Sequence, residues 1–109
     1  MINVTIFTDS SKQYRGFSVL GHAGYADSGY DIICASVSVL SINTVNAIEK
    51  FTQDDITVNV DENSGLISMT FGDTVSNESK LLVDTMILGF EDIVESYGDT
   101  YIKISYKEV

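Results

Sequence analysis

A chain of 109 residues, 44% hydrophobic and 20% charged, has the size and composition of one folded domain and not of a disordered tail. Sixteen acidic residues against six basic ones give a formal net charge of −10, and the basic residues are scattered singly, which argues against direct binding to nucleic-acid phosphates. One cysteine leaves no internal disulfide framework, and uninterrupted apolar runs such as Ile32 to Ala35 are too short to span a bilayer, so a cytoplasmic setting without membrane contact is predicted.

The chain opens with Ile2, Val4 and Ile6 alternating with Asn3 and Thr5, the period-two pattern of a half-buried strand. This start lacks the basic region of a secretory signal. Thr8 to Lys12 is turn chemistry, and Phe17 and Val19 around Ser18 predict a second strand paired to the first as a hairpin. Three glycines between Gly21 and Gly29 predict a mobile loop. A helix follows from about Asp31 to Phe51, with Ile33, Val37, Leu40, Thr44 and Ile48 along one stripe. Ile56, Val58 and Val60, the turn Glu62-Asn63-Ser64-Gly65, and Ile67, Met69 and Phe71 predict a second hairpin. Asn77 to Tyr97 predicts a second helix, with Leu82, Met86, Phe90 and Val94 on one line and Gly98 as its stop. Ile102, Ile104 and Tyr106 form a last strand. The order strand, strand, helix, strand, strand, helix, strand predicts an α+β two-layer domain, residues 1–109, with two helices packed on one sheet. Strand order does not follow from these patterns.

The candidate chemistry lies between the second strand and the first helix. The only histidine, His22, ends the strand, and the only cysteine, Cys34, stands at the third helical position if Asp31 is the N-cap. A helix N-terminus and a nearby imidazolium favour the thiolate, while the apolar neighbours Ile32 and Ile33 oppose it. The favourable pair is expected to win, giving a thiol below the free value of about 8.5. A thiolate beside an imidazole is the core of a cysteine hydrolase, with free helical N–H groups, that of Cys34 included, available to hold an oxyanion. The competing reading is a small buried cysteine and an unrelated surface histidine. A metal site is weaker still, since two ligands would have to come from elsewhere.

The neighbours divide in the same way. Asp31 either caps the helix or orients the His22 ring. Ser38, one turn beyond Cys34, either lines the site or is small for close packing. Gly21 supplies a strand-end conformation or a close backbone approach, and Asp27 makes a turn.

Gly21-His22-Ala23-Gly24-Tyr25-Ala26, then Gly29-Tyr30-Asp31-Ile32-Ile33-Cys34-Ala35-Ser36-Val37-Ser38, resembles the signature of the ribosomal-processing cysteine protease family, Prp. Thr44-Val45-Asn46 resembles its continuation, and the element order fits as well. The resemblance implies an endopeptidase that removes a short N-terminal extension from large-subunit ribosomal protein twenty-seven, as family members in Firmicutes and related bacteria do. It implies His22 and Cys34 as the catalytic residues, a homodimer, and a flexible loop between the catalytic pair; with it we expect Asp31, Ser38 and Gly21 to support the site, no metal or other cofactor, and the loop over residues 23–30 to cover the bound peptide. A basic ribosomal protein also suits the acidic field, although the same charge keeps any small protein dispersed. The alternatives are a non-catalytic acidic module that binds a basic ribosomal protein, and a redox-sensing thiol.

Overall fold

The computed structural model describes residues 1–27 and 31–109. Seven elements follow one another as β1 (Ile2–Thr8), β2 (Tyr14–Leu20), α1 (Ile32–Phe51), β3 (Ile56–Asp61), β4 (Leu66–Phe71), α2 (Asn77–Tyr97) and β5 (Ile102–Glu108). They form the α+β arrangement expected, and the sheet order is β3-β4-β2-β1-β5. Strands β1 and β5 run parallel, while the β1–β2, β2–β4 and β3–β4 pairs are antiparallel. Each helix is thus a crossover: α1 carries the chain from β2 past β4 to β3, and α2 carries it from β4 past β2 and β1 to β5.

Alternation in the strands and helical spacing in α1 and α2 meet in one core. Ile2, Val4, Ile6, Phe17, Val19, Ile67, Met69 and Phe71 from the sheet are buried together with Ile33, Val37, Val45 and Ile48 of α1 and Val83, Met86, Ile87, Phe90 and Ile93 of α2. The buried stripe of α2 centres on Val83, Met86, Ile87 and Phe90, so Leu82 and Val94 flank it half-buried. Leu40 is likewise half-buried, because it packs on Gly89 at the α1–α2 contact.

Helix α1 is more apolar than its short uninterrupted runs suggest: an 18-residue stretch reaches a mean hydropathy of 1.5, in the range of membrane-crossing helices. Here one face of it lies on the sheet. Its buried Ser41 and Thr44 donate to the carbonyls of Val37 and Leu40, which removes the cost of placing hydroxyls in a core. Asp54, in the loop after α1, accepts from the Ser76 N–H and from the hydroxyls of Ser76 and Ser79, tying that loop to the start of α2. Ser76 is itself the N-cap of α2, and Gly98 its C-cap.

Candidate active site

His22 is placed by the strand before it and by what flanks that strand. Strand β2 ends at Leu20, and Gly21 turns the chain with φ +103°. A Cβ at Gly21 would lie 2.6 Å from the Met1 carbonyl oxygen, so both roles expected for this glycine hold at once. The Gly21 N–H donates to the Ser64 carbonyl at 3.2 Å, and the Met1 nitrogen donates to the His22 carbonyl at 2.7 Å. The backbone at the histidine is therefore held from both sides while its side chain stays exposed.

Cys34 is the third residue of α1, and Asp31 is the N-cap. The Asp31 Oδ1 accepts from the N–H groups of Ile33 (3.0 Å) and Cys34 (2.9 Å), and its Oδ2 accepts from the Tyr25 N–H at 3.0 Å. Of the two readings of Asp31, these contacts are those of a cap. Through that last bond the cap reaches back to Tyr25, whose ring stands edge-on to Tyr97 and Tyr101. Ala23 is buried and donates its N–H to Cys34 Sγ at 3.1 Å. Of the covering loop expected over residues 23–30, residues 28–30 lie outside the described residues.

Two depressions meet at this point. One, of about 340 Å³, lies between α1 and the β3–β4 turn and is walled by Val37, Ile42, Val60 and Leu66, with Asp61 and Glu62 among its lining residues. The other, of about 500 Å³, is lined by Gly24, Ala26, Asp31 and Ala35. His22, Cys34 and Ser38 line both. The structure thus brings His22, Cys34 and Ser38 together on the divide between two adjoining hollows, with Asp31 lining one of them. A larger depression, about 610 Å³, opens beside Glu91, Val94 and Lys103 and is lined by no cysteine, serine, threonine or histidine.

The electrostatics of the thiol run against the expectation of a low pKa. Burial pushes the Cys34 thiol up, the Ala23 N–H partly offsets this, and the Asp31 carboxylate adds to the rise. The helix N-terminus fails to favour the thiolate because an anionic cap already occupies it. The same cap takes the N–H groups of Ile33 and Cys34, so these are not free to hold an oxyanion as the sequence reading supposed. For Asp31 burial acts upward, but N–H donation from Cys34 and Tyr25, with the Cys34 thiol and the Ala26 N–H, outweighs it and holds the carboxyl below its ordinary value. Sequence reasoning missed Ala23, whose contribution is a backbone N–H and leaves no mark on residue type. It also missed the β3–β4 turn as a wall of the site, since strand order was needed to bring that turn to β2. Among the described residues no group of three or more His, Cys, Asp or Glu side chains could hold a metal ion.

Residues 1–103 match the family profile described as Cysteine protease Prp. The chain belongs to the Prp family of cysteine proteases. A ribosomal processing cysteine protease Prp from Staphylococcus aureus is 32% identical over 107 residues, covering 98% of this chain and 100% of the relative. One from Bacillus subtilis is 29% identical over 103 residues, covering 91% of this chain and 92% of the relative. The fold agrees with crystal structures of the essential S. aureus Prp. Its complex with a covalently linked product peptide superposes with a TM-score of 0.90 at 32% identity, over 98% of this chain and 100% of the other. Its complex with a substrate peptide gives 0.85 at 30% identity, with the same coverage.

Proposed function

We propose that this protein hydrolyses a peptide bond with Cys34 as nucleophile and His22 as general base and acid, releasing the short N-terminal extension of large-subunit ribosomal protein twenty-seven. The observation that carries the reading is the placement of His22 and Cys34 on the divide shared by the two depressions. A peptide laid across both hollows presents its scissile carbonyl to the sulfur and its leaving nitrogen to the imidazole. Family membership and the peptide complexes of the S. aureus relative support the same reading.

Because the thiol is raised, Cys34 rests protonated near neutral pH. His22 then takes the proton as Sγ attacks the carbonyl carbon, as an adjacent base activates a serine hydroxyl. The proton passes from the imidazolium to the leaving amine as the C–N bond breaks, leaving a thioester on Cys34. Water, deprotonated by His22, attacks the thioester carbon; the C–S bond breaks, the imidazolium returns the proton to the sulfur, and the acid formed loses its own proton to solvent as it departs as the carboxylate. Water is the only co-reactant. Apolar walls in the smaller hollow suit an apolar side chain near the scissile bond, and the acidic surface suits a basic ribosomal protein. We place the activity in the cytoplasm, where this substrate is made, and in a homodimer, for which the exposed Val39, Leu81 and Leu88 of the helical layer offer apolar surface to a second copy.

Acid-quenched intact-mass measurement during turnover tests the chemistry. The proposal predicts an enzyme species heavier by the acyl fragment and absent in Cys34→Ala. Cleavage without any such species, unaffected by that substitution, contradicts it.

A further inference from the structure

The β3–β4 turn touches the histidine itself. Continuing the antiparallel β2–β4 register two residues beyond Val19↔Ile67 brings Gly21 opposite Gly65. The Gly21 N–H donates to the Ser64 carbonyl at 3.2 Å, one residue off that register, and so ties the strand end to the turn at the edge of the site. Gly65 has φ +70°, and a Cβ built on it would lie 2.5 Å from the Gly21 carbonyl oxygen, 3.1 Å from the Gly21 carbonyl carbon and 3.1 Å from His22 Cε1. The imidazole therefore rests with its Cε1 edge on the bare backbone of Gly65, in a space that any side chain at that position would take. Real Cβ atoms essentially never approach a neighbour as closely as 2.5 Å, and here the neighbour is backbone, so a side chain at this position changes how the turn and the strand end carrying His22 sit against each other.

We infer that Gly65 is a positioning residue for His22: the β3–β4 turn forms the seat that fixes where the imidazole stands in the site it shares with Cys34. This rests on the protease reading above and deepens it. The turn also closes one wall of the 340 Å³ hollow through Asp61, Glu62 and Gly65. One short segment thus sets both the placement of the base and the boundary of the peptide path. Displacement of a reacting group by about 1 Å can cost on the order of 100-fold in rate, so a seat of this kind matters out of proportion to its size.

Three variants separate the close approach from the backbone conformation. Gly65→Ala introduces the Cβ and opposes φ +70°. Gly65→Asn introduces the Cβ but tolerates a left-handed backbone, and it carries the test if the alanine variant does not fold. Gly98→Ala is the control, since Gly98 has φ +90° with nothing within 4 Å of a built Cβ and caps α2 far along the chain. His22 is the only histidine, so its ring Cε1–H gives a single histidine resonance in NMR. Folded Gly65→Ala or Gly65→Asn should shift that resonance and lower kcat for peptide cleavage by about 10- to 100-fold. Gly98→Ala should lower Tm and leave the His22 resonance as in the wild type. A wild-type His22 resonance in the folded Gly65 variants, or wild-type kcat in Gly65→Asn, overturns the inference. If the wild-type protein cleaves no peptide, the protease reading fails on its own, and the resonance still decides whether Gly65 seats the histidine.

Discussion

The backbone N–H of Ala23 points at the sulfur of Cys34 from 3.1 Å, and it is the chief group that favours the thiolate in this site. It does not prevail. Burial outweighs it, and Asp31, one turn below the sulfur at the head of the same helix, acts against it as well. In the proposed reaction, this balance leaves the activation of the nucleophile to His22 and not to a standing charge on sulfur.

The first prediction follows directly. Alkylation of Cys34, the only thiol, should rise with pH to a midpoint above the free-cysteine value of about 8.5. Asp31→Asn keeps a capping side chain and removes the charge, so it should move that midpoint down. Iodoacetamide rates followed by intact mass measure both. A wild-type midpoint below the free value, or one indifferent to Asp31→Asn, contradicts the assignment.

Asp31 should also appear in the stability of the fold. Its carboxyl is held below its ordinary value, so its contribution is present above about pH 3.9 and is lost as pH falls through the lowered folded value. Asp31→Ala should cost about 1 kcal/mol at neutral pH, the usual cost of losing an N-cap, while Asp31→Asn should cost less. The difference between wild type and Asp31→Ala should shrink on acidification below pH 4. Urea titrations at several pH values test this, and a pH-independent difference would mean that the carboxylate is not the group capping α1.

The net charge of −10 makes a third claim testable. If the acidic surface steers a basic substrate, kcat/KM should fall steeply as salt rises from 0.05 to 0.5 M, on the order of tenfold or more, with kcat nearly constant. A short neutral peptide carrying the same scissile sequence should show a flat profile. Equal salt dependence for both substrates leaves the acidity with a role in dispersal alone.

Much of this was legible in the residues. Period-two alternation in Ile2 to Ile6 and Ile67 to Phe71 places the strands, and Asp31 and Gly98 mark helix ends, because these signals are local and act within a few residues. His22, Cys34 and Ser38 are found together for the same reason: one strand end, one loop and one helical turn connect them. What the sequence hides is non-local. The pairing of β2 with β4 brings Gly65 onto His22, although the two lie far apart in the chain and the turn carries only turn chemistry. The thiol departs from the expectation because burial acts on it most strongly, and because the carboxylate that orders the helix start adds to the rise while using up the N–H groups and the positive field that Cys34 would otherwise meet.

The most direct measurement is mass spectrometry of the extended large-subunit ribosomal protein twenty-seven after incubation with the wild-type protein, Cys34→Ala and His22→Ala, each verified as folded by circular dichroism. The account predicts one shortened product, lacking its N-terminal extension, with the wild type. It predicts none with Cys34→Ala and only a trace with His22→Ala, since no second histidine can move the proton. Binding without cleavage by the wild type would make the protein an acidic binding module, and cleavage that survives Cys34→Ala would contradict the central claim outright.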